Sequence, residues 1–204
     1  MAIILIGRSG SGKTTIASRL VTDYDFTKIR SCTTRPQSER DNSSDYQFLS
    51  EEEFQDRITK DQFVEWDEYA GHLYGTLKQS FTKHPYLVHV MTPKGATRAK
   101  QLFPEDVMII HLTATLKTSV LRAVGRESYL TPEKLQEIVD RANVDENIYQ
   151  KIVCDLEIDN DKRRLNTLVK RIDREYENWR AEQAAHRIAN AVRPLLEKLK
   201  ELED

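Results

Sequence analysis

Gly10, Gly12, Lys13 and Thr14 are the residues best placed by type and spacing to do chemistry. The stretch Gly7-Arg8-Ser9-Gly10-Ser11-Gly12-Lys13-Thr14 satisfies GxxxxGK[ST] at every fixed position. A glycine-rich loop of this kind turns backbone N–H groups inward around phosphate oxygens, and the helix that follows adds partial positive charge. Gly10, Ser11, Gly12 and Thr15 would belong to the cradle, Lys13 would reach the β- and γ-phosphates, and the Thr14 hydroxyl would ligate Mg²⁺. The flanks agree: Ile3-Ile4-Leu5-Ile6 reads as a buried parallel strand, and Ile16, Ala17, Leu20 and Val21 mark a helix face. The loop by itself implies ATP or GTP, with no statement about an acceptor.

A second polar constellation narrows the acceptor. Ser31-Cys32-Thr33-Thr34-Arg35-Pro36 is followed by Asp45-Tyr46-Gln47-Phe48, then Phe63-Val64-Glu65-Trp66, then Gly71-His72-Leu73-Tyr74-Gly75-Thr76. Arg35 can clamp a phosphate bidentately, with the hydroxyls of Ser31, Tyr46 and Tyr74 completing its shell. Glu65 is an acceptor-only group, which suits the adjacent N1–H and 2-amino donors of guanine and repels the N1 lone pair of adenine. Thr76 could donate to guanine O6.

These groups need a frame to hold them. Apolar runs place strands at 3–6, 26–32, 63–66, 86–92, 107–112 and 152–158, with helical patterns at 13–22, 50–60, 94–103, 115–125 and 132–149. Thr131 and Pro132 cap the last of these. Alternation of this kind predicts an α/β fold with a mainly parallel central sheet between helical layers. Residues 31–76 are polar and read as irregular or short antiparallel pieces folded over that sheet. Beyond 161 the chain is helical, with one stripe through Leu165, Leu168, Val169, Ile172, Tyr176 and Trp179. A second runs through Ile188, Val192, Leu195, Leu196, Leu199 and Leu202. Pro194 should kink or restart that helix. The stripes would pack on the domain itself or join two copies as a homodimer.

Composition sets the boundaries. With 204 residues the chain can bury one full core. Its 31 basic and 33 acidic residues give a net charge of −2, which argues against a nucleic-acid partner. The opening apolar run is too short for a signal peptide, and no segment is apolar enough to span a membrane. Two cysteines make no disulfide framework, so a cytoplasmic setting is expected.

Taken together, GRSGSGKTT, SCTTRP, DYQF, FVEW and GHLYGT occur in the order and approximate spacing of the guanylate kinase family, which the chain resembles over roughly residues 3–160. The resemblance implies a domain over 1–160, with its core at 1–30 and 84–160 and an acceptor-binding insert at 31–83. A lid at about 122–141 and a C-terminal helical extension at 161–204 complete it. It implies ATP-dependent phosphorylation of GMP or dGMP with Mg²⁺. It also implies that Ser31, Arg35, Tyr46 and Tyr74 hold the acceptor phosphate and that Glu65 and Thr76 hold the base. Arg126 and Arg141 match lid arginines, Arg122 falls nearer the adenine or its phosphates, and Asp159-Asn160-Asp161 falls where the family contacts adenine.

Two departures stand out. Gln37 and Ser38 occupy the stretch where the family has a second arginine, leaving Arg40 as a substitute. Where the family ends its fourth strand with aspartates, this chain reads His89-Val90-Met91-Thr92-Pro93-Lys94-Gly95, leaving Thr92 to face the acceptor. A ribose 1,5-bisphosphate phosphokinase shares the loop and also lacks those aspartates, but gives Glu65 and Thr76 no task. Guanylate-kinase-like binding modules have degraded phosphate loops, unlike this one.

Overall fold

The protein is described by a computed structural model over residues 1–37, 46–69, 71–81, 84–127, 129–149, 153–161 and 164–201. Strand β1 (Ala2–Ile6) is completely buried because both of its faces are covered, which is why it reads as an unbroken apolar run. The phosphate loop follows and opens α1 (Lys13–Asp23), which buries Ile16, Ala17 and Leu20. Strand β2 (Thr27–Lys28) is two residues long, and β3 (Ser31–Thr33) already belongs to another sheet. The single strand expected at 26–32 is therefore broken at the point where the chain leaves the central sheet.

The second sheet contains β3, β4 (Tyr46–Phe48), β5 (Phe63–Tyr69) and β6 (His72–Leu77), in the order β4-β3-β6-β5. Strands β3 and β4 run parallel and the other neighbours antiparallel, so the insert is a small mixed sheet. Helix α2 (Glu51–Thr59) starts on a reciprocal cap between Ser50 and Glu53, and its Phe54 stacks on Phe63 at 4.5 Å. A 3₁₀ turn at Lys78–Phe81 leads back to β7 (Leu87–Val90).

Helix α3 (Pro93–Leu102), β8 (Val107–Thr113), α4 (Leu116–Val124), α5 (Pro132–Tyr149) and β9 (Leu156–Asp159) complete the α/β alternation. The central sheet has the order β2-β7-β1-β8-β9 with every pair parallel. All its carboxyl ends share one edge, which is where an open α/β sheet presents its ligands. Strand β9 begins at Leu156, so Cys154 precedes it instead of lying on it. Cys32 and Cys154 are both free thiols.

The last helix, α6 (Leu165–Glu201), is continuous, and Pro194 lies inside it without ending it. The missing N–H faces the carbonyl of exposed Asn190, where water can satisfy it. The first apolar stripe joins the core: Leu168, Val169, Ile172 and Tyr176 are buried against residues such as Leu5 and Val88. The Tyr176 hydroxyl donates to the Pro85 carbonyl at 2.9 Å. Of the second stripe, Ile188, Val192 and Leu195 are exposed, and the side chains of 196–201 and residues 202–204 lie outside the described residues.

Candidate active site

The phosphate loop takes its shape from left-handed glycines. Gly10 and Gly12 have φ of 81° and 96°. A Cβ at Gly10 would collide with the Ser119 backbone and one at Gly12 with the Asn160 amide, so neither position can carry a side chain. Lys13 donates to the carbonyls of Gly7 and Arg8. Thr14 and Thr15 are exposed, and with Gly7, Ser9, Gly10, Gly12 and Lys13 they line a cavity of about 560 Å³. Arg126 and Arg141 line the same cavity from the far side, so the structure brings these two arginines to the loop. A smaller recess of about 210 Å³ beside it is lined by the same two arginines with Lys134 and Glu137 of α5.

Ser11 and Arg122 are placed differently from the other loop and lid residues. The Ser11 side chain is buried and its Oγ has no hydrogen-bond partner, while its carbonyl accepts from Asn160 Nδ2 at 2.8 Å. Arg122 donates to the Asn160 carbonyl at 2.7 Å and to that of Gly10 at 3.4 Å. Arg122 therefore braces the loop backbone, Ser11 is held by Asn160, and neither residue lines the cavity. Asn160 is the common partner, buried at the carboxyl end of β9, and only its place after a strand hinted at this.

The second pocket, about 330 Å³, is lined by residues that include Ser31, Glu65, Tyr74, Thr76, His89 and Thr92. Glu65 and Thr76 face each other across β5 and β6, and the Thr76 hydroxyl donates to Glu65 Oε1 at 2.9 Å. Burial, opposed mainly by this hydrogen bond, pushes the Glu65 carboxyl above its ordinary range. Thr92 is exposed, and its hydroxyl accepts from Gly95 N at 3.1 Å, so its side chain caps α3. Asp67 also lines the pocket because it follows Glu65 by two residues on the same strand face, a signal that was available in the sequence. His89 lines it too, and nothing local marks that residue as anything but a strand position.

Arg35 does not line this cavity. Its guanidinium lies over the rings of Tyr46 and Phe48 at 5.6 and 5.7 Å and donates to the Pro36 carbonyl at 3.1 Å. Tyr46 in turn meets Tyr74 edge-on at 6.3 Å, which links Arg35 to the pocket wall through two aromatic rings. Arg40 and Asp45 lie outside the described residues.

A parallel sheet with a phosphate loop at its carboxyl edge and a mixed insert sheet beside it defines a nucleotide-binding α/β protein of the phosphate-loop class. The family model for guanylate kinase matches residues 1–175, and the chain belongs to that family. A guanylate kinase of Malacoplasma penetrans is 33% identical over 162 residues, covering 74% of this chain and 83% of that one. A guanylate kinase of Clostridium acetobutylicum is 32% identical over 133 residues, covering 63% of this chain and 64%, less than two thirds, of its own length. The crystal structure of guanylate kinase from Anaplasma phagocytophilum, 21% identical, covers 90% of this chain and 86% of that chain with a TM-score of 0.62, and shares the fold. No helix among the described residues is long and apolar enough to cross a membrane.

Proposed function

We propose that this protein transfers the γ-phosphoryl group of ATP to the 5′-phosphate of GMP or dGMP, yielding ADP and GDP or dGDP. The observation that carries this reading is the half-buried Glu65, braced by Thr76 in a cavity beside the sheet edge that bears the phosphate loop. A carboxylate in such a place needs donors, and the N1–H and 2-amino groups of guanine supply two side by side. On binding, the Thr76 proton turns from Glu65 to O6. A ribose bisphosphate would offer this pair nothing.

The remaining roles are those that the family pattern assigns, with Arg35 reaching the acceptor phosphate from beside Tyr46, outside the cavity lining. Backbone N–H groups of Gly10, Ser11 and Gly12, with Thr15, hold the ATP phosphates, and Lys13 supplies a cation to the β- and γ-oxygens. The exposed Thr14 hydroxyl fits Mg²⁺, a cation that keeps several waters and therefore needs few protein ligands. Mg²⁺ would neutralise charge on the β- and γ-phosphates. Ser31, Arg35, Tyr46 and Tyr74 hold the acceptor phosphate, and Arg126 and Arg141 surround the transferring group as its equatorial charge redistributes. Arg122 acts through the loop backbone, and Thr92 supports the acceptor wall as the cap of α3. The insert at 31–83 and a lid at about 122–141 close over the nucleotides. Two free thiols suit a cytoplasmic enzyme working on soluble nucleotides.

The test is a coupled ADP-release assay across nucleoside monophosphates, their deoxy forms and ribose 1,5-bisphosphate. GMP and dGMP should dominate. Equal rates with AMP, or a preference for the ribose bisphosphate, would end the proposal.

The exposed Ile188, Val192 and Leu195 repeat at spacings of four and three along α6, which supports pairing of two copies along this helix. Sedimentation should show a dimer that Leu195→Glu dissociates; a wild-type monomer would contradict it.

A further inference from the structure

One buried group in the acceptor pocket has no task in the scheme above. His89 lies on β7, opposite Ile4 of β1, and is 5% exposed. Its Nε2 is 3.0 Å from Thr76 Oγ1, while Thr76 Oγ1 is 2.9 Å from Glu65 Oε1. The contact crosses from the central sheet to the insert sheet. Three polar side chains from β5, β6 and β7 therefore form one row ending at the carboxylate that faces the acceptor.

A hydroxyl carries one proton. If Nε2 is bare, Thr76 cannot bond both neighbours, and a lone pair then faces either the imidazole or Glu65. If Nε2 carries the proton, both contacts become hydrogen bonds, Nε2–H to Oγ1 and Oγ1–H to Oε1. Nδ1 is buried beside the Ile29 backbone but makes no hydrogen bond of normal geometry there, whereas Nε2 lies 3.0 Å from Thr76 Oγ1, so the shorter contact claims the ring's one proton. Burial, reinforced by Lys28 and opposed by the Ile29 backbone, holds the ring's pKa down to about 4, so the imidazole is neutral at working pH.

We infer that His89 is a positioning residue for acceptor recognition: by donating to Thr76 it frees the Thr76 proton to serve Glu65 without ligand and guanine O6 with it. It also ties the base-reading pair of the insert to the sheet that carries the phosphate loop. This inference rests on the reading of the pocket as a guanine site. His89 acts through Thr76 rather than on the reacting atoms, so its effect falls on acceptor KM and on base selectivity.

The experiment measures KM for GMP and for ATP in wild type, His89→Leu, His89→Gln, Thr76→Val and the double variant His89→Leu/Thr76→Val, with thermal melts alongside. Leucine keeps the volume and removes the donor; glutamine restores an N–H near the Nε2 position. His89→Leu should raise the GMP KM about tenfold, the value of one hydrogen bond, and leave the ATP KM within about twofold. His89→Gln should recover most of that loss, and the double variant should lose no more than Thr76→Val alone. Parallel rises in both KM values, a glutamine variant no better than leucine, or additive losses in the double variant would overturn the inference.

Should the leucine variant fail to fold, ¹⁵N imidazole spectra of the wild type decide the matter. A neutral Nε2–H ring in the GMP complex supports it, and Nδ1–H contradicts it. Wild type that turns over no GMP overturns the pocket reading itself; wild type that does so, with His89→Leu kinetically silent, overturns only the role of His89.

Discussion

Asn160 and Ser11 are joined by a buried hydrogen bond of 2.8 Å from side-chain amide to backbone carbonyl, which fastens the end of β9 to the phosphate loop. Arg122 completes the brace through the Asn160 carbonyl. The loop backbone is thus held at Ser11 and Gly10 by two residues that do not line its cavity.

Asn160→Ala should leave the Ser11 carbonyl buried without its donor, at a cost of about 1–3 kcal/mol in stability. Urea unfolding reads this directly. The same variant should raise the ATP KM more than the GMP KM, because the disturbed element is the donor loop; equal stability to wild type would contradict the brace.

Lys13→Ala should abolish turnover and keep the fold, with only a modest fall in melting temperature for the loss of part-buried hydrogen bonds to the Gly7 and Arg8 carbonyls. Steady-state kinetics together with a thermal melt checks it. Unchanged ATP-dependent turnover would remove Lys13 from the phosphate site.

How much of this was visible in the chain depends on the range of the interaction. The loop, the apolar strands and the Thr131-Pro132 start of α5 are local patterns, and the structure contains each; the Lys134 N–H indeed donates to Thr131 Oγ1. The break between β2 and β3 was hidden because apolar alternation looks alike in both sheets, so residues 26–32 carry no sign of a change of partner. His89 was hidden for the related reason that its partner, Thr76, lies 13 positions away on another sheet. Asn160 followed a strand end, yet its brace to Ser11 spans 149 positions. In α6 the stripe through Tyr176 was legible, while no restart occurs at Pro194 because an exposed helix can lose one bond to water.

Acceptor affinity should depend on pH through Glu65. Burial raises its pKa above 4.5, and guanine requires the ionised form. As pH falls through the raised value, Glu65 gains a proton and loses an acceptor, so the GMP KM should rise in acid on a limb lying above 4.5. Stability moves the other way. In the window above 4.5 the unfolded carboxyl has ionised while the folded one keeps its proton, so this contribution declines as pH rises. His89, held down to about 4 beside Thr76 and Lys28, has the opposite sign, and its contribution grows from about 4 to 6.5. Kinetic pH profiles and melts of wild type and Glu65→Gln separate the two, and an acid limb that persists in Glu65→Gln would exclude Glu65 as its source.

The most direct measurement is calorimetric binding of GMP and IMP, which lacks the 2-amino group, to wild type and Glu65→Gln. Wild type should prefer GMP by about tenfold or more, and Glu65→Gln should lose most of that preference by weakening GMP. Equal affinities in the wild type, or a preference untouched by the substitution, would contradict the assignment of Glu65 as the reader of the base.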